Sequence, residues 1–257
     1  MAPAPAIDVV NLEKIYRRRG RPAVRAVDGL SFSIAPGSIF GLLGPNGAGK
    51  TTTLRVLTTL ARPSGGQARV AGFDVVRDPL QVRRRIAVVI QESAAEMFLS
   101  VRDNFATFGR FHGLRGAELQ RRVDRVIGQF GLEREAGRKA MDLSGGFRRR
   151  VQVAKMFLVD TPLLFLDEFS AGLDPIRKRW VIGLLREAAR QGRTIVLTTH
   201  LLHEAEELCD DLLIVDHGRQ IARGNVASLK MQAGGGTLED VFLRLTAEES
   251  TTEEPDA

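Results

Sequence analysis

The chain has 257 residues, is 44% hydrophobic and 26% charged, and carries a net charge of +6, values of an ordinary globular protein with one large domain or a core plus a sub-domain. No apolar run approaches the roughly 20 residues that span a bilayer. Met1–Ala6 has no features of a secretory signal and Cys209 is the single cysteine, which excludes an internal disulfide, so a cytosolic protein in a reducing compartment is expected.

Charge is uneven along the chain. Ala247–Ala257 holds five acids and no base, so the remainder is more basic than the net value suggests. Arginines cluster at Arg17–Arg19, Arg83–Arg85, Arg121–Arg122, Arg148–Arg150 and around Arg177–Arg179. The clusters are scattered and lack interleaved aromatics, so solvated helix faces account for most of them and nucleic acid is not expected as a partner.

In chain order, Ile7–Leu12, Leu30–Ile34 and Ser38–Leu43 read as strands separated by Gly20-Arg21-Pro22 and Pro36-Gly37. Ser38–Leu43 runs directly into Gly44-Pro45-Asn46-Gly47-Ala48-Gly49-Lys50-Thr51, followed by Thr52, and the next residues to Leu60 have helical character. This is G-x-x-x-x-G-K-[ST] between a strand and a helix, the phosphate-binding loop. Its glycines let backbone N–H groups approach phosphate oxygens, and the following helix adds the positive end of its dipole. Lys50 is expected on the β- and γ-phosphates, and the Thr51 hydroxyl on Mg²⁺. The loop alone does not separate kinases, GTPases, helicases and transport ATPases.

From about Pro79 to Asp160 the pattern is helical and arginine-rich, with apolar residues at three- and four-residue steps in Arg102–Gly113 and Glu118–Phe130. Strand–helix alternation then returns: strand Leu163–Leu166, helix Arg177–Arg190, strand Thr194–Thr198, helix Leu202–Leu208 and strand Leu212–Val215. Cys209 closes that last helical stretch and reads as a packing residue. The alternation implies a mainly parallel sheet covered by helices, with a helical insert inside an α/β core. The apolar run Leu163–Leu166 delivers two adjacent carboxylates, Asp167 and Glu168. Asp167 is expected to hold Mg²⁺, and Glu168 to orient and deprotonate the attacking water.

Leu143-Ser144-Gly145-Gly146, upstream of that pair in the helical insert, resembles the signature motif of ATP-binding cassette (ABC) proteins. Other segments follow in the family's order. Tyr16 resembles the aromatic residue that stacks on adenine. Gln91, after strand Ile86–Ile90, resembles the glutamine that contacts Mg²⁺ and water. Ala171-Gly172-Leu173-Asp174 resembles the loop that signals across the dimer, and His200 the histidine on the γ-phosphate. The resemblance implies an α/β fold: a phosphate-loop NTPase core with a mainly parallel sheet, an N-terminal antiparallel β-subdomain and an inserted α-helical subdomain. It implies an ATPase domain over about residues 7–230 with the insert at about 92–160, then a helical extension at 231–246 and an acidic, disordered tail at 247–257. It also implies ATP and Mg²⁺ as ligands and a homodimer, in which Ser144, Gly145, Gly146 and Asp174 meet the nucleotide held by the partner.

A single cassette without coiled coils or zinc-binding cysteines resembles a transporter subunit more than the family's translation or DNA-repair members. Ala26–Leu60, Gly72-Phe73-Asp74 and Thr237–Leu243 resemble bacterial drug-, antibiotic- and lipid-export subunits of the daunorubicin-resistance kind. Such subunits sit on the cytoplasmic face of the membrane under a separately encoded permease, and this chain is expected to lack the extra C-terminal regulatory domain that some relatives carry. Thr237 is expected to cap a closing helix, with Glu239 and Asp240 in its first turn. The sequence departs from the family pattern in two places: Phe147 where Gln is usual, and Phe169-Ser170 where Pro-Thr is usual. A cassette ATPase that acts on nucleic acid or in a regulatory complex is the competing reading; a nucleotide-binding module without turnover is disfavoured by Lys50, Asp167, Glu168 and His200 together.

Overall fold

Strands buried on both faces need unbroken apolar runs, whereas strands with one wet face alternate, and the chain uses both patterns. A computed structural model describes residues 4–90, 96–232 and 234–250. Strands β1 (Ile7–Tyr16) and β2 (Val24–Ile34) alternate buried and exposed positions and pair antiparallel, and β4 (Gly65–Val70) and β5 (Phe73–Asp74) continue that sheet in the order β2-β1-β4-β5. By contrast, every residue of β3 (Ile39–Leu43), β7 (Leu163–Asp167) and β8 (Thr194–Thr199) is buried. With β6 (Ile86–Val89), β9 (Asp211–Asp216) and β10 (Arg219–Gly224) they form a six-stranded sheet in the order β10-β9-β3-β8-β7-β6, parallel except for β10 at one edge.

Helix α1 (Lys50–Leu57) follows β3, and the short α2 (Pro79–Arg83) precedes β6. Helices α3 (Val101–Phe111), α4 (Gly116–Gln129) and α5 (Gly145–Met156) make the helical insert. α6 (Pro175–Arg190) and α7 (Leu202–Leu208) alternate with the central strands, and α8 (Val226–Gln232) and α9 (Leu238–Ser250) close the described chain. The two faces of the parallel sheet carry different partners. Val101, Phe105, Val123 and Val126 of the insert share one apolar core with Leu164, Leu166 and Leu197. Ile7, Leu12, Leu30 and Phe32 of the antiparallel sheet share another with Phe40, Leu42, Phe165 and Val196. Among the described residues no helix is long and apolar enough to cross a membrane.

The α/β architecture matches the expectation, with differences in extent. β1 and β2 run longer than their apolar stretches, because Lys14–Tyr16 and Val24–Val27 pair through backbone bonds that need no apolar side chain. β4, β5 and β10 have weak sequence signals: glycine, glutamine and arginine interrupt the alternation, and pairing to an existing strand edge supplies what propensity lacks. α1 ends at Leu57, before the Leu60 of the sequence reading. α9 continues to Ser250, into the segment read as a disordered tail, since Ala247-Glu248-Glu249 are good helix formers. Its N-terminus carries the expected cap: Thr237 Oγ1 accepts from Asp240 N at 3.2 Å, and Asp240 Oδ2 accepts from Thr237 N at 2.8 Å. Cys209 lies just past α7 in extended backbone rather than within a helix, and burial pushes its thiol pKa well up, so it is an inert packing group.

Candidate active site

The parallel strands all deliver their carboxyl ends to one edge, where the loops after β3, β7 and β8 come together. Register makes this neighbourhood: Leu43 pairs with Thr199 across β3 and β8, and Asp167 pairs with Thr198 across β7 and β8. The first loop, Gly44–Gly49, turns the chain from β3 into α1. Gly49 caps α1 in the left-handed region at φ 98°, and the first turn of α1 contains no acid to compete for its N–H groups. A Cβ at Gly49 would lie 2.2 Å from the Ala26 carbonyl oxygen of β2. Ala26 is the extra residue of a β-bulge, between the pairs Lys14–Val27 and Ile15–Arg25, and so its backbone faces the loop. The β9–β10 turn joins the same point: Gly218 N donates to Ala48 O at 3.1 Å, and Asp28 N donates to Gly218 O at 2.8 Å. Gly49→Ala combines a disfavoured φ with a backbone clash. It is expected to lower the melting temperature by about 4 °C or more and to remove ATP binding, read by thermal melts with and without nucleotide.

Lys50 is 5% exposed and its ammonium donates to the carbonyls of Gly44 and Pro45 at 2.7 and 2.8 Å. Burial lowers its pKa, opposed by the nearby charges of Glu168 and Asp167. The cation therefore sits between the loop and the carboxylates of β7. Asn46 and Gly47 are exposed at the loop's crest, while Ala48 is buried beneath it and Pro45, Thr51 and Thr52 are half-buried.

Asp167 is fully buried, and its Oδ1 accepts from Thr51 Oγ1 at 3.1 Å and from the Thr198 hydroxyl. Its Oδ2 is also buried and has no hydrogen-bond partner among the described residues. A buried carboxylate oxygen left unmatched beside a threonine hydroxyl is the hard-oxygen donor set that suits Mg²⁺. Glu168 has φ 47°, a left-handed turn directly after β7. Its N–H donates to the Thr198 carbonyl at 3.1 Å, which fixes the turn. Oε1 of Glu168 lies 3.1 Å from Nδ1 of His200, which follows β8. Lys50, Thr51, Asp167, Glu168 and His200 thus lie together in one cluster.

The signature segment forms a second structure. Ser144 caps α5, its Oγ accepting from Phe147 N at 3.4 Å, and Gly145 and Gly146 open the helix with no acid in the first turn. A Cβ at Gly146 would lie 2.8 Å from the Gly172 carbonyl, so the signature packs directly on the loop after β7. The Phe147 ring lies against two guanidinium groups, Arg150 at 4.5 Å and Arg177 at 5.4 Å from its centre. Asp174 caps α6, accepting from Arg177 N at 3.0 Å. Among the described residues no hydrogen bond or ion pair joins Ser144–Gly146 to the phosphate loop of the same chain. Tyr16 ends β1, partly exposed, with Lys14 Nζ 4.9 Å from its ring centre. Gln91 lies outside the described residues.

Sequence reasoning missed three groups around the cluster. Thr198 serves both residues of the carboxylate pair, its hydroxyl donating to Asp167 Oδ1 and accepting from the Glu168 N–H. Buried Glu204 accepts from Ser170 and Thr199 and pairs with Lys178 at 2.5 Å. Arg149 donates to backbone carbonyls of the β7 loop. A threonine inside an apolar strand and one arginine in a run of three offer no distinguishing sequence signal.

Comparison with known proteins agrees with this geometry. Residues 27–171 match the ABC transporter family. The chain is 42% identical over 236 residues to the daunorubicin/doxorubicin resistance ATP-binding protein DrrA of Streptomyces peucetius, covering 92% of this chain and 70% of that protein. It is 39% identical to the Nod factor export ATP-binding protein I of Paraburkholderia xenovorans, covering 91% of this chain and 76% of the relative. A solved ATP-binding subunit of an ABC transporter superposes with a TM-score of 0.85 at 28% identity, covering 94% of this chain and 99% of that one. Relatives of these kinds do not favour the nucleic-acid reading. A phosphate loop, a paired carboxylate and a signature helix on this fold, in a chain this similar to these proteins, have one home: the chain belongs to the ABC transporter family, as an ATP-binding and ATP-hydrolysing subunit.

Proposed function

We propose that this chain energises export of a drug-, antibiotic- or lipid-like substrate through a separate permease, working as a homodimer on the cytoplasmic face of the membrane. The observation that carries the reading is the division of the machinery. One cluster holds Lys50, Thr51, Asp167, Glu168 and His200, while Ser144–Gly146 offers a helix N-terminus with no bond to that cluster's phosphate loop. A helix start rich in unpaired N–H groups suits an anion, and a partner's nucleotide supplies one. The relatives' names, drug resistance and Nod factor export, support the direction of transport.

In this mechanism the N–H groups of Gly44–Thr52 wrap the phosphates and Lys50 meets the β- and γ-phosphates, with Tyr16 under the base. Glu168 accepts the proton of the attacking water, and His200, beside it, contacts the γ-phosphate. Thr51 and Asp167, with Gln91 by resemblance, would hold Mg²⁺, which offsets phosphate charge when bound. Asp174, already engaged as the cap of α6, would meet the partner through the loop it ends. ATP closes the two cassettes and hydrolysis reopens them.

Ile90, next to Gln91, lines a groove of about 990 Å³ between the insert and the core. Leu60, Leu80 and Phe111 are exposed around it, a suitable seat for the permease. Affinity purification from native membranes in mild detergent tests the proposal. A stoichiometric multi-span membrane protein is the expected companion. Nucleic acid or ribosomal material without one would overturn the transport function and leave the ATPase chemistry standing.

A further inference from the structure

Helix α5 begins at the signature segment and, one turn on, carries Arg149, which is 6% exposed. A guanidinium is costly to bury unless its donors are matched. Here they are matched by backbone rather than by a carboxylate. Nη2 donates to the carbonyls of Asp167 and Glu168, Nε donates to that of Phe169 at 3.0 Å, and Nη1 donates to Gln152 Oε1 at 2.9 Å. Three consecutive carbonyls, centred on the left-handed residue Glu168, are therefore gripped by one planar fork. Burial lowers the Arg149 pKa, with Asp167 and Glu168 opposing. On the far side of the same loop the Ser170 hydroxyl is held by buried Glu204. The turn carrying Glu168 is thus held between α5 on one side and Thr198 and Glu204 on the other, and Arg149 is its link to α5.

We infer that Arg149 is a positioning residue that ties the signature helix to Glu168 of the same subunit, so that one nucleotide site of the dimer reports its occupancy to the other. The inference rests on the reading above, in which Ser144–Gly146 meets the partner's nucleotide and Glu168 serves the subunit's own. A nucleotide drawn onto the start of α5 shifts the helix, the fork carries the three carbonyls with it, and the Glu168 carboxylate settles against the water it must deprotonate. The close approach of Gly146 to the Gly172 carbonyl carries the same displacement into the loop ending at Asp174. Lysine cannot replace this device, because a single ammonium on a flexible stem cannot hold three carbonyls in a fixed plane.

The test uses the purified full chain with Arg149→Lys and Arg149→Gln, measuring melting temperature, affinity for a fluorescent ATP analogue, and ATPase rate against ATP concentration. Arg149→Lys is expected to melt near the unaltered chain and to bind the analogue equally well. Its kcat should fall about 10- to 100-fold, with KM little changed and the Hill coefficient reduced toward one, and Arg149→Gln should fall further. A purely structural role would instead lower the melting temperature and leave kcat per folded molecule and the Hill coefficient intact, which would overturn the inference. Should both variants fail to fold, amide exchange on the unaltered chain decides. Slower exchange at residues 167–170 when ATP closes the dimer supports the coupling, and unchanged exchange overturns it. An unaltered chain that stays monomeric with hyperbolic kinetics would overturn the dimer reading itself and this inference with it. Cooperative kinetics that survive in Arg149→Lys would overturn the role of Arg149 alone.

Discussion

Glu168→Gln is expected to bind ATP as well as the unaltered chain while losing turnover by about 10²- to 10⁴-fold, the range in which a positioned general base contributes. Glutamine matches the shape of the side chain, and its amide oxygen can still face Nδ1 of His200, 3.1 Å from the present carboxylate oxygen. What it lacks is the ability to take a proton. The backbone turn is held from outside the side chain, by Thr198 and Arg149, so the substitution should leave the loop in place. With hydrolysis blocked and binding intact, an ATP-bound dimer should accumulate and be visible by size-exclusion chromatography. Wild-type turnover in this variant would remove Glu168 from the role of base.

Lys50→Met separates the other half of the site. The ammonium is buried and its charged form is disfavoured by desolvation, so an apolar side chain of similar length removes a cost even as the Gly44 and Pro45 carbonyls lose a donor. The melting temperature without nucleotide should stay within a few degrees of the unaltered value. ATP affinity should fall about 10- to 100-fold or more, the scale of hydrogen bonds from a charged group to phosphate. The sign of the pH effect follows from the direction of the shift. Because burial lowers the Lys50 pKa, its charge is lost as pH rises through that lowered value, and ATP affinity in the unaltered chain should weaken there. Lys50→Met should remove that alkaline limb, and titration calorimetry across the alkaline range reads both results. A limb that persists in the variant would assign it to another group.

The candidate phosphate- and metal-binding residues were legible because their chemistry is confined to a few consecutive positions. Gly44–Thr51 and Asp167-Glu168 each declare themselves within one strand end, and parallel pairing then brings them together without further instruction. The buried strands were legible for a related reason, since β3 and β7 have no wet face and read as solid apolar runs. What was not legible depends on contacts between distant parts of the chain. β4 and β10 are strands because β1 and β9 are there to pair with. Arg149 cannot be told from Arg148 and Arg150 until α5 is laid against β7, and Glu204 looks like any acid on an amphipathic helix until Ser170 is folded onto it. Phe169 illustrates the limit from the other side. Read as a departure from the usual proline, it proves to be fully buried in the core beneath the carboxylates, a packing choice that side-chain volume rather than motif governs.

The meeting of Ala26, Gly49 and Gly218 is made almost entirely of main chain. Alanine scanning from Val24 to Asp28 would report on the Arg25–Asp28–Arg219 ion pairs and on buried Val27, but not on the Ala26 carbonyl itself, which Cβ truncation leaves where it was. Spacing is what this corner records. Deleting Ala26 would let Val27 and Arg25 pair consecutively with Lys14 and Ile15 and withdraw the carbonyl that flanks the phosphate loop. The contact at this corner therefore depends on the length of the stretch more than on the side chain of Ala26.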